Sequence, residues 1–270
     1  MNKLKLWDKS LSWEAADKAW EETARLACHT QPLKTLPSLP KMAGITPDTA
    51  RFLKLKAASY LIRYDKNRVI FRYLIRWRYL TRLALSYFRP SSFHRTGDFF
   101  FYGIKDFEEF EHLFTQPNHI IVVGFSYCHK PHECPSGRFS TSCQHDSSHP
   151  VCQQCFIGKI MHALPDSPRI IPLSITTIHY IGEEMCKIVS AHPGKQVIFL
   201  ITACEMTLSM FSDFGNMIGI RGIGVRLDGR ICNTMQAFHL SEHGIKPGLT
   251  VVLPNTQKQI LSWVRALRGS

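Results

Sequence analysis

Five of the chain's nine cysteines, Cys128, Cys134, Cys143, Cys152 and Cys155, lie within one short stretch that also carries His129, His132, His145 and His149. Thiolate sulfur and imidazole nitrogen are the donors that hold zinc and iron in proteins. The two-residue spacing of Cys152-Gln153-Gln154-Cys155 lets two thiolates reach one metal from a tight turn. The expectation is a metal centre with Cys128, Cys134, Cys152 and Cys155 as primary ligands, Cys143 as a further candidate and the histidines as alternatives. Thiolates suit an iron-sulfur cluster and zinc alike. The surplus of candidate cysteines over the four that one structural zinc needs favours iron-sulfur. A zinc that merely staples a surface loop is the plainer outcome.

Two more cysteines are placed for chemistry. Cys204, in Thr202-Ala203-Cys204-Glu205, follows an apolar β-branched run and opens a helical pattern, where free backbone N–H groups and the helix dipole lower a thiol's pKa. Cys232, in Cys232-Asn233-Thr234, has the same placement, as does the pair Thr176 and Thr177. Cys204, Glu205, Cys232 and Asn233 are therefore expected to serve as catalytic groups facing a small-molecule pocket, with Thr176 and Thr177 as ligand-binding positions. Cys28 and Cys186 lack such a setting and read as small buried apolar residues.

The elements that position these residues are legible in the hydrophobic pattern. Runs at 119–125, 169–175, 196–202, 222–227 and 249–253 alternate with longer helical patterns, and most connections are too long for hairpins. This predicts an α/β fold with a largely parallel sheet and helices on both faces. Asp228-Gly229 admits a local hairpin. Ahead of it, residues 1–95 read as a helical, basic region: Ser12 caps a first helix, Thr46-Pro47-Asp48 opens a second, and a third runs from Asp65 to Phe88. The Pro-rich stretch from Pro32 to Pro40 separates the first two, and Arg89-Pro90-Ser91-Ser92 ends the third. A cysteine-rich α/β domain then spans 96–270.

The ordered series Tyr127-Cys128-His129, Glu133-Cys134-Pro135, Cys152-x2-Cys155 with Ile157-Gly158, Thr202-Ala203-Cys204-Glu205 and Cys232-Asn233-Thr234 resembles the cysteine-rich family catalogued as domain of unknown function one hundred and sixteen. The resemblance covers roughly residues 119–253. It implies that the cysteines form one functional site, and it leaves the reaction open.

The net charge of +12 is concentrated: between Arg51 and Arg95 twelve Lys or Arg stand against a single acid, Asp65. On a helical wheel Val69, Ile70, Tyr73, Leu74, Trp77, Leu80, Ala84 and Phe88 form an apolar arc expected to dock on the core. Arg68, Arg72, Arg76, Arg78 and Arg82 fill the opposite arc, with Phe71, Ile75 and Tyr79 among them. Such a face predicts an anionic partner, a membrane surface ahead of nucleic acid. Pairing of the arginines with Asp106, Glu108, Glu109 and Glu111 is the internal alternative. The first residues hold no apolar run of signal-peptide length and nothing approaches a membrane span, so a cytoplasmic protein, peripheral to a membrane at most, is expected. Reduced thiols follow. No P-loop and no Gly-x-Ser-x-Gly element is present, which argues against nucleotide hydrolysis and esterase chemistry. Three functions compete: an enzyme using an iron-sulfur or zinc centre for redox or small-molecule chemistry at the sheet's carboxyl edge; a non-catalytic zinc-stapled module that contacts an anionic membrane, nucleic acid or protein through the basic helix; and, on charge alone, an RNA-binding accessory protein.

Overall fold

A computed structural model describes residues 7–34, 44–88, 92–246 and 248–269. Part of the Pro-rich stretch and most of the linker after Phe88 lie outside these residues. In chain order the helices are α1 (Trp13–Thr30), α2 (Pro47–Ala50), α3 (Leu53–Arg63), α4 (Val69–Leu74), α5 (Trp77–Tyr87), α6 (Phe107–Thr115), α7 (Pro150–Gln154), α8 (Phe156–Ala163), α9 (Ile178–Ala191), α10 (Glu205–Ile218), α11 (Met235–Ser241) and α12 (Pro254–Ala266). The strands are β1 (His94–Thr96), β2 (Phe99–Tyr102), β3 (Ile120–Ser126), β4 (Ile170–Ile175), β5 (Val197–Ala203), β6 (Arg221–Arg226), β7 (Asp228–Gly229) and β8 (Thr250–Val251).

Six strands make one mixed sheet in the order β1-β2-β6-β5-β3-β4. Four consecutive strands, β6, β5, β3 and the edge strand β4, run parallel, as the spacing of the apolar runs requires. Every residue of β3 and β5 is buried. Their near-continuous apolar sequences fit strands paired on both edges and covered on both faces. The edge was not foreseen: the short aromatic run of β2 pairs antiparallel with β6, and β1 with β2. The run at 249–253 also departs from expectation. Only Thr250 and Val251 form a strand, because Leu253 already caps α12, which Pro254 opens. They pair with Asp228-Gly229, which therefore joins β8 instead of folding back as a local hairpin on β6.

Two apolar layers sandwich the sheet. One packs α6, α8 and α12 on it, with Trp7, Ala16 and Trp20 of the N-terminal segment in the same core. There the buried Lys159 of α8 pairs with Asp17 at 2.6 Å and with Glu21 of α1. The other layer is formed by α9 and α10, with Val69, Tyr73, Leu74, Tyr79 and Leu83 packed against it.

The expected helix from Asp65 to Phe88 is broken. Arg76 is extended between α4 and α5, with neither proline nor glycine at the break. A single wheel across the break therefore fails. Tyr79 turns inward, whereas Trp77, Leu80 and Phe88, expected to dock, are exposed; the side chain of Ile70 lies outside the described residues. Cys186 is buried as expected, but Cys28 is exposed.

The chain leaves β3 for β4 on one side and then returns through α9 to β5 on the other. The carboxyl ends of β3 and β5 thus flank the crevice that such a reversal of direction opens.

Candidate functional site

Three cysteines distant in sequence meet at that crevice. Cys128 sits in the one-turn helix directly after β3, Cys204 is the N-cap residue of α10 directly after β5, and Cys232 lies between β7 and α11. Cys204 and Cys232 share a small apolar core with Tyr60 of α3, Ile178 of α9 and Phe238 of α11. The two thiols interact with each other; Cys204 Sγ also stands 3.2 Å from Thr207 Oγ1, and Lys246 Nζ donates to Cys232 Sγ at 3.2 Å.

The electrostatics divide the roles. The hydrogen bond from Cys204 stabilises the Cys232 thiolate, and Lys246 adds to it, so that Cys232 falls to about 5 despite its burial. Cys204 moves the opposite way. Its hydrogen bond to Cys232 and its burial hold it protonated, which overrides the lowering expected from the start of α10. Burial raises Cys128 as well. Burial works against the charge on Lys246, yet the facing sulfurs of Cys128, Cys232 and Cys204 hold it above its ordinary value. The arrangement is a thiolate–ammonium pair with a thiol donor beside it.

Cys134, Cys143, Cys152 and Cys155 form a separate group. All four line one small cavity of about 20 Å³, together with Lys130, His145 and Gly158. Cys128 is not among them: the strand end carries it away to the other group, and Cys143 takes the place expected for it. Cys155 accepts from the N–H groups of Gly158 and Ile157, Cys152 from that of Asp146, and Cys143 from that of His145. Backbone donors on sulfur stabilise a thiolate, but burial outweighs them here and pushes Cys155 up to about 12 and Cys152 to about 11. Gly158 is required for this approach, since a Cβ there would stand 2.7 Å from the Cys152 carbonyl oxygen.

Lys130 is the cation nearest these thiols. Burial lowers its pKa, and Nζ donates to the carbonyls of Ser140 and Ser142, each at 2.7 Å. Arg138 ties the two groups together. Its guanidinium donates to the carbonyls of Lys130 at 3.2 Å, Cys128 at 3.1 Å, Lys246 at 2.6 Å and Gly248 at 2.6 Å. Among the histidines, His145 lines the cavity and His149 Nδ1 caps α7, accepting from Val151 N–H at 3.2 Å. His132 is exposed. His129 is half-buried, packs against Phe156 and is held neutral, its pKa lowered to about 4 by desolvation.

Of the other expected site residues, Thr177 caps α9, accepting from Tyr180 N–H at 3.0 Å, and lines a polar cavity of about 290 Å³. Thr176 is half-buried beside it. Glu205 faces away from the thiols: Arg95 at 2.9 Å and Arg226 at 3.5 Å hold its carboxylate. Asn233 accepts through its backbone carbonyl from Thr46 N–H at 3.1 Å. A different carboxyl stands near Cys232. Glu242 is half-buried, accepts from Ile178 N–H at 2.9 Å, and lines the polar cavity with Tyr60, Thr177 and His243. Burial, with the charge of Cys232, raises Glu242 to about 8.

Sequence reasoning missed Lys246, Glu242, Lys130 and Arg138. Lys130 carried a signal, a cation two residues after Cys128. Lys246 and Glu242 lie far from any motif and become visible only when α11 is folded back over the sheet edge.

Among the described residues no group of three or more His, Cys, Asp or Glu is set to hold a metal ion as it stands. A scan against models of known protein families finds none that matches the chain, and searches of curated proteins and of solved structures find no match either. The family resemblance rests on the order of the cysteine motifs alone.

Proposed function

We propose that this chain is a metal-thiolate protein that carries out thiol chemistry on a small molecule at the carboxyl edge of its sheet. The observation that carries the reading is the division of seven cysteines into a set of four around one cavity and a set of three around Lys246. Cys134, Cys143, Cys152 and Cys155 would hold the metal. Their donor type fits, and N–H groups already directed at three of the sulfurs would support the thiolate form. Lys130 would offset part of the excess negative charge of four thiolates around a divalent cation. The division removes the argument from cysteine surplus that favoured iron-sulfur. Room for about one water-sized body fits a single zinc ion better than a cluster, so zinc is the occupant put forward and iron-sulfur the second choice. The metal would supply structural closure of the loop.

The chemistry would belong to the other set. Cys232 is the nucleophile, stabilised as thiolate by Lys246 and Cys204, while Glu242, protonated at neutral pH, holds a proton between the thiols and the polar cavity. Substrate would enter through that cavity, where Thr177, His243 and Glu242 offer polar contacts. A second reading, a zinc-stapled binding module without catalysis, draws support from the exposed basic helices. Anaerobic purification followed by metal analysis, an absorption spectrum and mass-spectrometric mapping of iodoacetamide adducts tests the proposal. One zinc per chain with Cys232 alkylated first is expected. Neither zinc nor iron, with Cys232 no more reactive than Cys186, would overturn it.

A further inference from the structure

The most unusual surface of the molecule lies on the outward sides of α3, α4 and α5; the inward side of α3 carries Tyr60 of the sheet-edge cysteine core. Phe71, Ile75, Trp77, Leu80, Leu85 and Phe88 are all largely exposed there, Trp77 by 77% and Phe88 by 83%. Leu80 and Phe88 also border a cleft of about 230 Å³ between α3, α5 and α10, whose walls are almost entirely apolar apart from Lys54 and Asp213. Large apolar groups standing in water mark a contact surface.

The charge on this face is uncompensated. Arg68, Arg72, Arg76 and Arg78 are exposed, and among the described residues none of these, nor Arg82, forms an ion pair. Asp65, the lone acid of the segment, is engaged in capping α4, accepting from Val69 N–H at 2.8 Å and Phe71 N–H at 3.1 Å. The acids after the linker are committed elsewhere: Asp106 caps α6, Glu109 pairs with Arg221, and Glu111 accepts from Trp263. Internal neutralisation by those three acids is therefore not what the fold uses.

We infer that α3, α4 and α5 dock on the surface of an anionic lipid bilayer, arginines at the headgroups and Trp77, Leu80 and Phe88 entering the acyl boundary beside the cleft. Charge complementarity selects an anionic surface. The aliphatic side chains select lipid over nucleic acid: Ile75, Leu80 and Leu85 offer nothing to stack on a base, whereas nucleic-acid platforms rely on aromatic faces. Trp and Arg flanking aliphatic residues suit the interfacial zone, where one end of the contact is wet and the other apolar. The inference stands apart from the metal reading.

Flotation of the full chain with vesicles tests it, one set of phosphatidylcholine alone and another containing about a third phosphatidylserine. Binding to the anionic vesicles alone is expected, weakening about tenfold or more when salt rises from about 0.1 M to about 0.5 M. The double variant Arg72→Glu, Arg76→Glu should lose it with unchanged thermal midpoint and metal content. Leu80→Glu tests the apolar half separately and should weaken binding by a similar factor. In the wild type the tryptophan emission should shift to the blue on binding, and Trp77→Phe should remove most of that shift. Equal binding to neutral vesicles, binding that survives Arg72→Glu with Arg76→Glu, or retention of single-stranded nucleic acid without vesicle binding would overturn the inference, as would a stable dimer that buries Trp77.

Discussion

The two cysteine groups solve the problem of a buried thiol in opposite ways. At the sheet edge the counter-ion is built in: Lys246 contacts Cys232 and is held above its ordinary pKa by the sulfurs around it. In the loop the nearest cation, Lys130, is committed to two carbonyls and pushed below its ordinary value by burial. Burial drives Cys152 and Cys155 far above neutral pH. On the proposed reading, the site that carries its own cation is the one that would act as a nucleophile. On the same reading, four thiols without one, but with backbone N–H groups directed at three of their sulfurs, would take a cation from outside.

The largest expected effect separates the groups directly. Cys152→Ser or Cys155→Ser should reduce bound metal to a small fraction and cost about 4 kcal/mol, roughly 10 °C in melting temperature. Calorimetry of the variants checks this, and melting unchanged by chelator in the wild type would count against a metal in the loop.

Next in size is a pH effect confined to the sheet edge. Glu242 titrates at about 8 in the folded protein against an ordinary value of 4.5. Between those values the folded state keeps a proton that the unfolded chain releases. Its contribution is therefore fully present below 4.5 and lost as pH rises toward 8. Glu242→Gln should flatten that slope and gain on the order of 3 kcal/mol at the upper end, since an amide oxygen can still accept from Ile178. Denaturant titrations of both proteins across the window measure it; parallel curves would place the Glu242 carboxyl in water.

A smaller effect concerns Cys232. With its pKa near 5, alkylation by a small neutral reagent should already be at its plateau at neutral pH. Lys246→Met should move the midpoint upward and slow the neutral-pH rate about tenfold or more, while leaving metal content alone. Equal rates would mean that Lys246 does not set the thiolate.

The smallest belongs to the loop. Gly158→Ala places a methyl against the Cys152 carbonyl and should cost about 1–2 kcal/mol, together with weaker metal retention under chelator challenge.

What could be read from the sequence follows from how local each signal is. The parallel strands β3, β4, β5 and β6 were legible within a residue or so because each is a short, largely apolar run, unbroken in the buried central strands β3 and β5. That Cys128 and Cys204 would share an edge also followed, since each stands directly after such a run. The partition of the cysteines did not. Cys128 is closer in sequence to Cys134 than Cys143 is to Cys152, yet the rigid end of β3 holds it at the sheet while the loop beyond Lys130 folds away. β1 and β2 escaped because a three-residue strand and a four-residue aromatic run carry no distinctive period. The break at Arg76 escaped for the opposite reason: the apolar spacing runs straight through it, so only packing against α9 and α10 decides where the helix turns.

The division into four and three is the central claim, and the ratio of metal to protein in two anaerobically purified variants tests it most directly. Cys143→Ser should lose most of the bound metal and Cys128→Ser should retain it at the wild-type ratio. Metal lost from Cys128→Ser and kept by Cys143→Ser would contradict the account.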